Sequence, residues 1–260
     1  MKFNEIPVSF VYTIEMHGDS LYYSTPDGEI FRLNPDSPDS VKLIAIKRGH
    51  PIRSLAFTSN NHLYASSYYS GLYRVSGDTM ISIPNGTLPA WSMKKDSSGT
   101  LWLAARNGIF KQTGDIFVRF TNLKEAYDID FFNGSLVVAD RKGISFFDLE
   151  TGECIRSICK DTICWMVHSY DTLLIGGGQG FCALINASTY SVFKIGTKEN
   201  IPWDCVMDNN GTIFLASQKG LFSIDSKREK ARCIGYPGKC IKSVFIDDLN
   251  RLWVGRYFRE

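Results

Sequence analysis

The stretch DSSGTLWLAARNGIFKQ, residues 96–112, has the pattern of a tight turn, a strand, a second turn and another strand. Its apolar centre, LWLA, recurs along the chain every 35 to 42 residues. The copies are LYYS at Leu21, LYAS at Leu63, LWLA at Leu101, LVVA at Leu136, LLIG at Leu173, IFLA at Ile213 and LWVG at Leu252. This interval is close to the roughly 40-residue period of four-stranded propeller blades.

Each repeat contains the signals of four strands. A strand such as AWSMKK precedes the LWLA-like strand, and a glycine turn, a third strand such as GIFKQ and a looser fourth strand follow it. The turn glycines are expected to need a positive φ, which glycine adopts without strain. They are residues 28, 71, 108, 143, 180 and 220. No helical periodicity interrupts this order, so the chain is expected to be all β.

These repeats predict a single β-propeller domain over residues 1–260, with seven four-stranded blades. Radial closure protects strand edges that a solenoid would have to cap. The seventh repeat stops at LWVGRYFRE, so residues 2–8 are expected to join residues 240–260 in the closing blade. One strand is then missing: either residues 257–260 supply a stub, or the chain is cut from a longer protein. The alternative is six blades, with the seventh repeat left exposed.

Composition excludes several classes of function. The formal net charge is +2, so the chain has no general field that would attract nucleic acid. No apolar run is long enough for a membrane segment, and the start has no apolar signal core. The chain as it stands is therefore expected to be soluble and cytoplasmic. Its seven cysteines, without framework spacing, are expected to be reduced and mostly buried.

No catalytic motif, metal site or cofactor site is predicted. The four histidines are dispersed, and IGGGQG at residues 175–180 lacks the lysine and the helix of a phosphate loop. The Gly-His and Trp-Asp pairs of WD repeats occur once each and in different repeats. A metal-dependent lactonase propeller would need a set of Glu, Asn and Asp ligands around its central cavity. In this chain Glu15 is the one acidic residue near the first inner strand that could be such a ligand, and no second ligand is convincing.

Alignment of the first strands gives a candidate ligand-binding column. It contains Tyr12, Arg53, Trp91, Tyr127, Trp165, Trp203 and Lys242. One interpretation is a channel mouth that stacks on sugar rings, or that binds an anionic or peptide ligand with its cations and aromatic faces. The other is that these side chains wedge between adjacent blades, because large aromatic residues are enriched in strands.

The next two columns differ in polarity. By strand alternation, a mostly polar column that includes Asp128 and Asp204 is expected to face opposite to the aromatic one. The following column is apolar, so Cys205 is expected to be a buried structural thiol. Asp128 and Asp204 could bind backbone amides or line a polar channel, and neither is expected to have a histidine at its level. His168 is given no role.

The repeat resembles that of two-component-regulator propellers, whose consensus runs roughly I-x-x-I-x-x-D-x-x-G-x-L-W-x-G-T-x-x-G-L. The matching residues are Asp96, Gly99, Leu101, Trp102, Gly108 and Ile109 in the third repeat; Asp208, Gly211, Phe214, Gly220 and Leu221 in the sixth; and Asp247, Leu252, Trp253 and Gly255 in the seventh. Trp102 itself is expected to pack between blades. The motif defines a blade and not an activity.

The resemblance implies a bacterial sensing domain. Propellers of that family form extracytoplasmic sensing domains of hybrid histidine kinases and often detect oligosaccharides, which would make the chain a periplasmic fragment of a sensor. The chain departs from the family because it has seven repeats at most and no membrane, kinase or DNA-binding segment. We therefore predict a non-enzymatic binding or sensing module whose partner is a small molecule or oligosaccharide, or else a protein or peptide. The alternatives are a protein-interaction scaffold and a lactonase- or lyase-like hydrolase.

Overall fold

The computed structural model describes residues 4–5, 10–83, 89–186, 189–225, 227 and 230–257. Regular secondary structure within these ranges consists of strands joined by turns. In chain order the strands are β1 (Asn4–Glu5), β2 (Thr13–His17), β3 (Ser20–Ser24), β4 (Glu29–Asn34), β5 (Ser37–Ile46), β6 (Ser54–Phe57), β7 (Leu63–Ser67), β8 (Gly71–Ser76), β9 (Thr79–Ser82), β10 (Ala90–Lys95), β11 (Leu101–Ala105), β12 (Gly108–Thr113), β13 (Ile116–Thr121), β14 (Ala126–Phe132), β15 (Ser135–Asp140), β16 (Gly143–Asp148), β17 (Cys154–Ile158), β18 (Cys164–Tyr170), β19 (Leu173–Gly178), β20 (Phe181–Ile185), β21 (Tyr190–Lys194), β22 (Pro202–Met207), β23 (Ile213–Ser217), β24 (Gly220–Ile224), β25 (Ala231–Gly235), β26 (Cys240–Ile246) and β27 (Leu252–Tyr257).

Residues 10–129 form one compact unit. Its three complete sheets each follow chain order: β2-β3-β4-β5, β6-β7-β8-β9 and β10-β11-β12-β13. Apolar side chains pack between successive sheets, as where Ala56 and Tyr64 meet Leu101 and Leu103 in one buried cluster. The LWLA-like strands β7 and β11 are buried at every position, because both of their faces are covered. This explains why the motif is continuously apolar.

Residues 130–260, with residues 1–9, form the second compact unit. Four-stranded sheets have the orders β14-β15-β16-β17, β18-β19-β20-β21 and β22-β23-β24-β25. The glycine run of β19 lies in a strand and not in a phosphate loop. A Cβ on Gly177 would lie 2.5 Å from Pro202 Cγ, so close packing of the next sheet requires glycine there.

All six turn glycines have a positive φ, as expected from the repeat: residues 28, 71, 108, 143, 180 and 220 have φ values between 79° and 147°. At Gly108 a Cβ would also lie 2.4 Å from the carbonyl oxygen of Thr121. Glycine is therefore needed both for the backbone conformation and for the close approach of the outer strand.

The prediction of seven four-stranded blades is wrong for the last repeat. Six sheets have four strands, which agrees with the alternative of six such blades, and the remaining sheet has three strands in the order β1-β27-β26. The last repeat is nevertheless not left exposed, since Leu252, Trp253 and Val254 are buried. Of residues 257–260, suggested as a stub, Tyr257 is the last residue of β27, and residues 258–260 lie outside the described residues.

The N-terminal segment joins this last sheet, with Asn4 opposite Trp253 and Glu5 opposite Val254. The pairing is parallel. Second and fourth strands of an antiparallel blade run in the same direction, so β1 has the direction of a fourth strand. It pairs directly with β27, the second strand, and the described residues supply no third strand to this sheet.

Aspartates of the repeat motif hold its tryptophans. Asp96 Oδ1 accepts hydrogen bonds from the backbone N–H groups of Ser98 and Thr100, and Asp96 Oδ2 accepts one from Trp102 Nε1 at 2.8 Å. Asp247 binds Trp253 Nε1 in the same way, also at 2.8 Å. The motif therefore closes a turn and orients an indole ring. Trp102 is 1% exposed, and its ring meets Phe120 of the same sheet at a centroid distance of 4.9 Å.

These hydrogen bonds predict acid sensitivity. Burial raises the pKa of Asp96 and of Asp247, but the hydrogen bonds to each carboxylate outweigh it and hold the pKa below its usual value. A carboxylate with a lowered folded-state pKa stabilises the fold above its unfolded pKa of about 4, and this stabilisation is lost as the pH falls through the folded pKa. We expect Asp96→Asn and Asp247→Asn to weaken the dependence of unfolding free energy on pH below about 4.

Urea unfolding followed by circular dichroism between neutral and acidic pH measures this effect. Asp115→Asn, at an exposed turn of the same blade as Asp96, is the control. If the unfolding free energy falls equally with pH in the wild-type protein and in both motif variants, Asp96 and Asp247 are not the source of the acid sensitivity.

Candidate functional site

The predicted ligand column coincides with a series of β-bulges. In β10 the pairing with β11 shifts between Ala90 and Ser92, so Trp91 is the extra residue. The same shift brackets Trp165 in β18, Trp203 in β22 and Lys242 in β26. A bulge bends its strand and re-aims the side chain of the extra residue.

The backbone hydrogen bonds of Tyr12 and Arg53 follow the same bulge-like pattern. The N–H of Tyr12 donates to the carbonyl of Ser24, whose register partner is Thr13. The N–H of Arg53 likewise donates to the carbonyl of Ser66, the partner of Ser54. The residue preceding each column member is buried, whereas all seven members are half-buried: Tyr12, Arg53, Trp91, Tyr127, Trp165, Trp203 and Lys242.

Four column residues meet in the unit of residues 10–129. The Arg53 guanidinium carbon lies 4.1 Å from the ring centroid of Tyr12 and 5.0 Å from that of Trp91. The Trp91 ring meets Tyr127 edge-on at 5.8 Å and Tyr68 at 4.1 Å. We call Tyr12, Arg53, Tyr68, Trp91 and Tyr127 the Arg53 cluster.

Contacts with aromatic faces hold the Arg53 guanidinium in place. The Nε atom of Arg53 is buried and has no hydrogen-bond acceptor among the described residues. Cation–π contacts of this kind contribute about 0.5 to 2 kcal/mol each, and they leave the planar donors of arginine available to a carboxylate or hydroxyl group. The cluster therefore combines flat apolar faces with an oriented cation.

The other three column residues meet in the unit of residues 130–260. The Trp165 and Trp203 rings lie 5.6 Å apart in an edge arrangement. Lys242 Nζ is 3.0 Å from the Trp203 ring centroid and 5.9 Å from that of Tyr257. We call Trp165, Trp203, Lys242 and Tyr257 the Lys242 cluster. The Trp203 ring is also oriented by its Nε1–H, which donates to Gln218 Oε1 at 3.2 Å.

Sequence alignment missed three contributors because they lie outside the first strands. Tyr68 and its neighbour Tyr69, which is 71% exposed, follow β7 in a turn. Gln218 lies in the corresponding turn after β23, and Tyr257 is at the end of β27. The two adjacent tyrosines in a polar turn were the available signal for Tyr68, whereas nothing in the repeat pattern distinguishes Gln218 or Tyr257.

The polar column joins inner strands of neighbouring sheets. Ser54 Oγ accepts the N–H of Met93 at 3.1 Å, and Asp204 Oδ2 accepts the N–H of Val244 at 3.0 Å. Two residues beyond the polar column, Asp130 Oδ2 accepts the N–H of Ser169 at 2.9 Å. For Asp204, the prediction that it could bind a backbone amide is therefore confirmed. Cys205 is buried, as expected.

The expectation that Asp204 has no histidine at its level is wrong. His168 Nε2 lies 3.1 Å from Asp204 Oδ1. The two strands, β18 and β22, are inner strands of successive sheets, and the bulge in each sets the height at which the side chains meet. A carboxylate beside a histidine can orient the imidazole ring through a hydrogen bond. Asp204 is also committed to two backbone N–H groups, of Cys205 and Val244.

Glu15 lies on the first inner strand, β2. Burial raises the pKa of Glu15 to about 7, although the nearby Lys94 and Lys95 lower it. Its carboxyl group therefore changes charge near neutral pH. Over the described ranges, no group of three or more His, Cys, Asp and Glu side chains is arranged to hold a metal ion.

No protein-family model matches the chain, and no curated protein matches its sequence. Solved structures do match. The extracellular domain of the hybrid two-component system BT4673 from B. thetaiotaomicron is 16% identical, with a TM-score of 0.76 over 98% of this chain and 38% of that one. The chain therefore spans under two fifths of the length of that domain.

Two further solved structures have comparable similarity. The WD40 β-propeller domain of Doa1 is 12% identical, with a TM-score of 0.78 over 95% of this chain and 90% of that one. Virginiamycin B lyase from Staphylococcus aureus is 13% identical, with a TM-score of 0.76 over 95% of this chain and 92% of that one. At these identities the likeness shows the fold alone: the chain is an all-β protein with the β-propeller fold. Its neighbours include extracellular domains of hybrid two-component systems, the class of protein that the repeat resembles.

Helices long and apolar enough to span a membrane do not occur in the described part of the chain.

Proposed function

We propose that this propeller is a non-enzymatic binding and sensing module that holds a small-molecule ligand, an oligosaccharide first of all, at its aromatic column. The observation that carries the proposal is the series of bulges, which places a tryptophan or lysine as the extra residue in four inner strands. Bulges cost regular ladder hydrogen bonds, and they are over-represented next to functional sites. Regular packing of the blades does not require a bulge with an aromatic residue at the same position of several strands, which favours a role in binding.

The chemistry of both clusters suits a sugar. Half-buried indole and phenol rings offer flat apolar faces to the C–H face of a pyranose ring. Arg53 and Lys242 lie beside those faces and can donate to ring hydroxyls or to a carboxylate. An oligosaccharide with acidic groups would use both kinds of contact.

The similarity to extracellular domains of two-component systems supports a sensing role. In that role the chain would be a periplasmic part of a longer bacterial signalling protein. A protein or peptide held by the same side chains is the competing form of the proposal, and the binding experiment below separates the two.

Binding is expected to depend on Trp91 in the Arg53 cluster and on Trp203 in the Lys242 cluster. A panel of neutral and acidic oligosaccharides is titrated by isothermal calorimetry against the wild-type protein and the Trp91→Ala/Trp203→Ala double variant. We expect the double variant to lose at least about tenfold in affinity, which corresponds to about 1.4 kcal/mol, because each substitution removes a stacking face.

Two control proteins keep this experiment interpretable. Trp91→Phe/Trp203→Phe keeps an aromatic face and is expected to recover most of the affinity. Tyr190→Ala removes an exposed aromatic side chain from the outer strand β21 and is expected to bind normally. A folded double alanine variant with wild-type affinity would overturn the site, and absence of binding to the whole panel would overturn the oligosaccharide ligand.

A further inference from the structure

The carboxamide of Gln218 lies at the edge of the Lys242 cluster. Its Oε1 atom accepts the indole N–H of Trp203 at 3.2 Å and the thiol of Cys240 at 3.5 Å. An indole nitrogen can only donate a hydrogen bond. The opposite orientation of the amide would turn its NH₂ group toward these two donors, so the contacts fix which side of the amide faces Trp203. The NH₂ group is therefore directed away from both of them.

The amide nitrogen of Gln218 is left to donate elsewhere. Within the part of the chain that the structure describes, the side chain makes its hydrogen bonds through Oε1, and Nε2 has no acceptor. Gln218 is half-buried, and its Nε2 atom remains accessible to solvent. A side chain that is held by its oxygen and open at its nitrogen is arranged to donate to a bound molecule.

The turn that carries Gln218 is held by hydrogen bonds of its own. The backbone N–H of Gln218 donates to the carbonyl of Ile201 at 2.8 Å. The buried Ser217 Oγ donates to the carbonyl of Gly220 at 2.7 Å and closes the turn. A donor on a turn that is fixed in this way loses little conformational entropy when a ligand binds.

Lys242 places a second donor against the same indole ring. Its Nζ atom is 3.0 Å from the centroid of Trp203 and lies over the ring, whereas Gln218 meets the N–H edge. An ammonium group and an amide NH₂ group both donate, so one group that binds to both must be an acceptor with more than one oxygen atom. A carboxylate has two such oxygens, and its hydrogen bonds are roughly twice as strong as those of a neutral hydroxyl group.

We propose that Gln218 is a specificity-determining residue of the Lys242 cluster and that, together with Lys242, it binds the carboxylate of an acidic sugar in an oligosaccharide. The inference rests on the proposed function, because it concerns a ligand of the same aromatic column. One carboxylate oxygen accepts a hydrogen bond from Gln218 Nε2, and the other accepts one from the Lys242 ammonium group. The cluster therefore favours acidic over neutral oligosaccharides of the same size.

A matched pair of oligosaccharides tests this preference. Trigalacturonate and its carboxyl-reduced counterpart have the same length and linkage and differ in their carboxylates. Both are titrated by isothermal calorimetry against the wild-type protein at one ionic strength. We expect the acidic trisaccharide to bind at least about tenfold more tightly than the neutral one. Triglutamate, an acidic peptide without sugar rings, is expected to bind more weakly than trigalacturonate.

Variants test the role of the amide nitrogen. Gln218→Glu keeps an acceptor for the N–H of Trp203 but replaces the NH₂ group by an oxygen that repels a carboxylate. We expect it to lose at least about tenfold in affinity for trigalacturonate and to bind the neutral trisaccharide within about twofold of wild type. Lys242→Gln is expected to reduce the same preference. Gln112→Glu adds the same charge at a half-buried glutamine of β12, whose amide contacts the Gly114 carbonyl, and is expected to bind both sugars normally.

The outcomes separate this inference from the proposed function. Equal affinity of the wild-type protein for both trisaccharides, or equal losses for both in a folded Gln218→Glu variant, would overturn the inference and leave the oligosaccharide site standing. Tighter binding of triglutamate would overturn it in favour of a peptide ligand. Absence of binding by both trisaccharides would also overturn the inference, and if the whole oligosaccharide panel fails as well, the proposed function is overturned with it.

Discussion

Replacement of Trp102 by alanine is expected to lower the free energy of unfolding by about 3 to 5 kcal/mol, the usual range for removing a large buried aromatic side chain. Trp102 is 1% exposed and lies in β11, a strand with both faces covered. Its removal would also take the indole N–H away from the Asp96 carboxylate. Both effects act in the same direction, so this variant should be among the least stable that one substitution can produce. Urea unfolding followed by circular dichroism measures the loss.

Two further variants identify the cause of that loss. Trp102→Phe keeps an aromatic ring but not the N–H, so it is expected to lie between the wild-type protein and the alanine variant. Trp91→Ala removes a half-buried indole of the Arg53 cluster and is expected to cost much less stability. Equal losses for Trp91→Ala and Trp102→Ala would show that Trp91 is ordinary packing between sheets, which contradicts the assignment of the column to binding.

The second large effect is expected at Gly108. Alanine there would need a left-handed φ of 147° and a Cβ only 2.4 Å from the Thr121 carbonyl oxygen. The clash is with backbone, so no side-chain rotation relieves it, and the outer strand β13 must move. We expect a loss of about 2 to 4 kcal/mol from strain and overpacking together.

Gly114→Ala is the matched control for this variant. Gly114 also has a positive φ, of 62°, and lies in the same blade, but its Cβ would have no atom within 4 Å. We expect a loss of about 1 kcal/mol, due to the left-handed conformation alone. If the two glycine variants have the same midpoint of urea unfolding, the close approach of β13 is not what selects glycine at 108.

The repeat made most of the fold predictable. LWLA-like strands, turn glycines and an interval near 40 residues are each local properties, and a blade is built from local contacts between strands adjacent in sequence. The positive φ at residues 28, 71, 108, 143, 180 and 220 followed from glycine in a tight turn. The last sheet was less predictable because it depends on pairing between the two ends of the chain. There β1 pairs with β27 directly, since no third strand separates them.

The candidate site was predictable as a column of positions but not as a set of contacts. Strand alternation cannot indicate a bulge, and the bulges decide where Trp91, Trp165, Trp203 and Lys242 lie. They also bring His168 to Asp204, a pair that alignment of the strands placed at different levels. Tyr68 and Tyr257 join the clusters from a turn and from a strand end, where residue spacing gives no register.

The bulged tryptophans are expected to contact the ligand, whereas the motif tryptophans only stabilise the fold. The chain has five tryptophans, and the structure divides them into Trp91, Trp165 and Trp203 in the clusters and Trp102 and Trp253 in the core. Indole N–H resonances in a ¹H–¹⁵N correlation spectrum, assigned by substituting each tryptophan in turn, report on all five during titration with an oligosaccharide that the protein binds. We expect the resonances of Trp91, Trp165 or Trp203 to shift while those of Trp102 and Trp253 stay in place. Binding that leaves all three cluster indoles unshifted would contradict the assignment of these tryptophans to the ligand site.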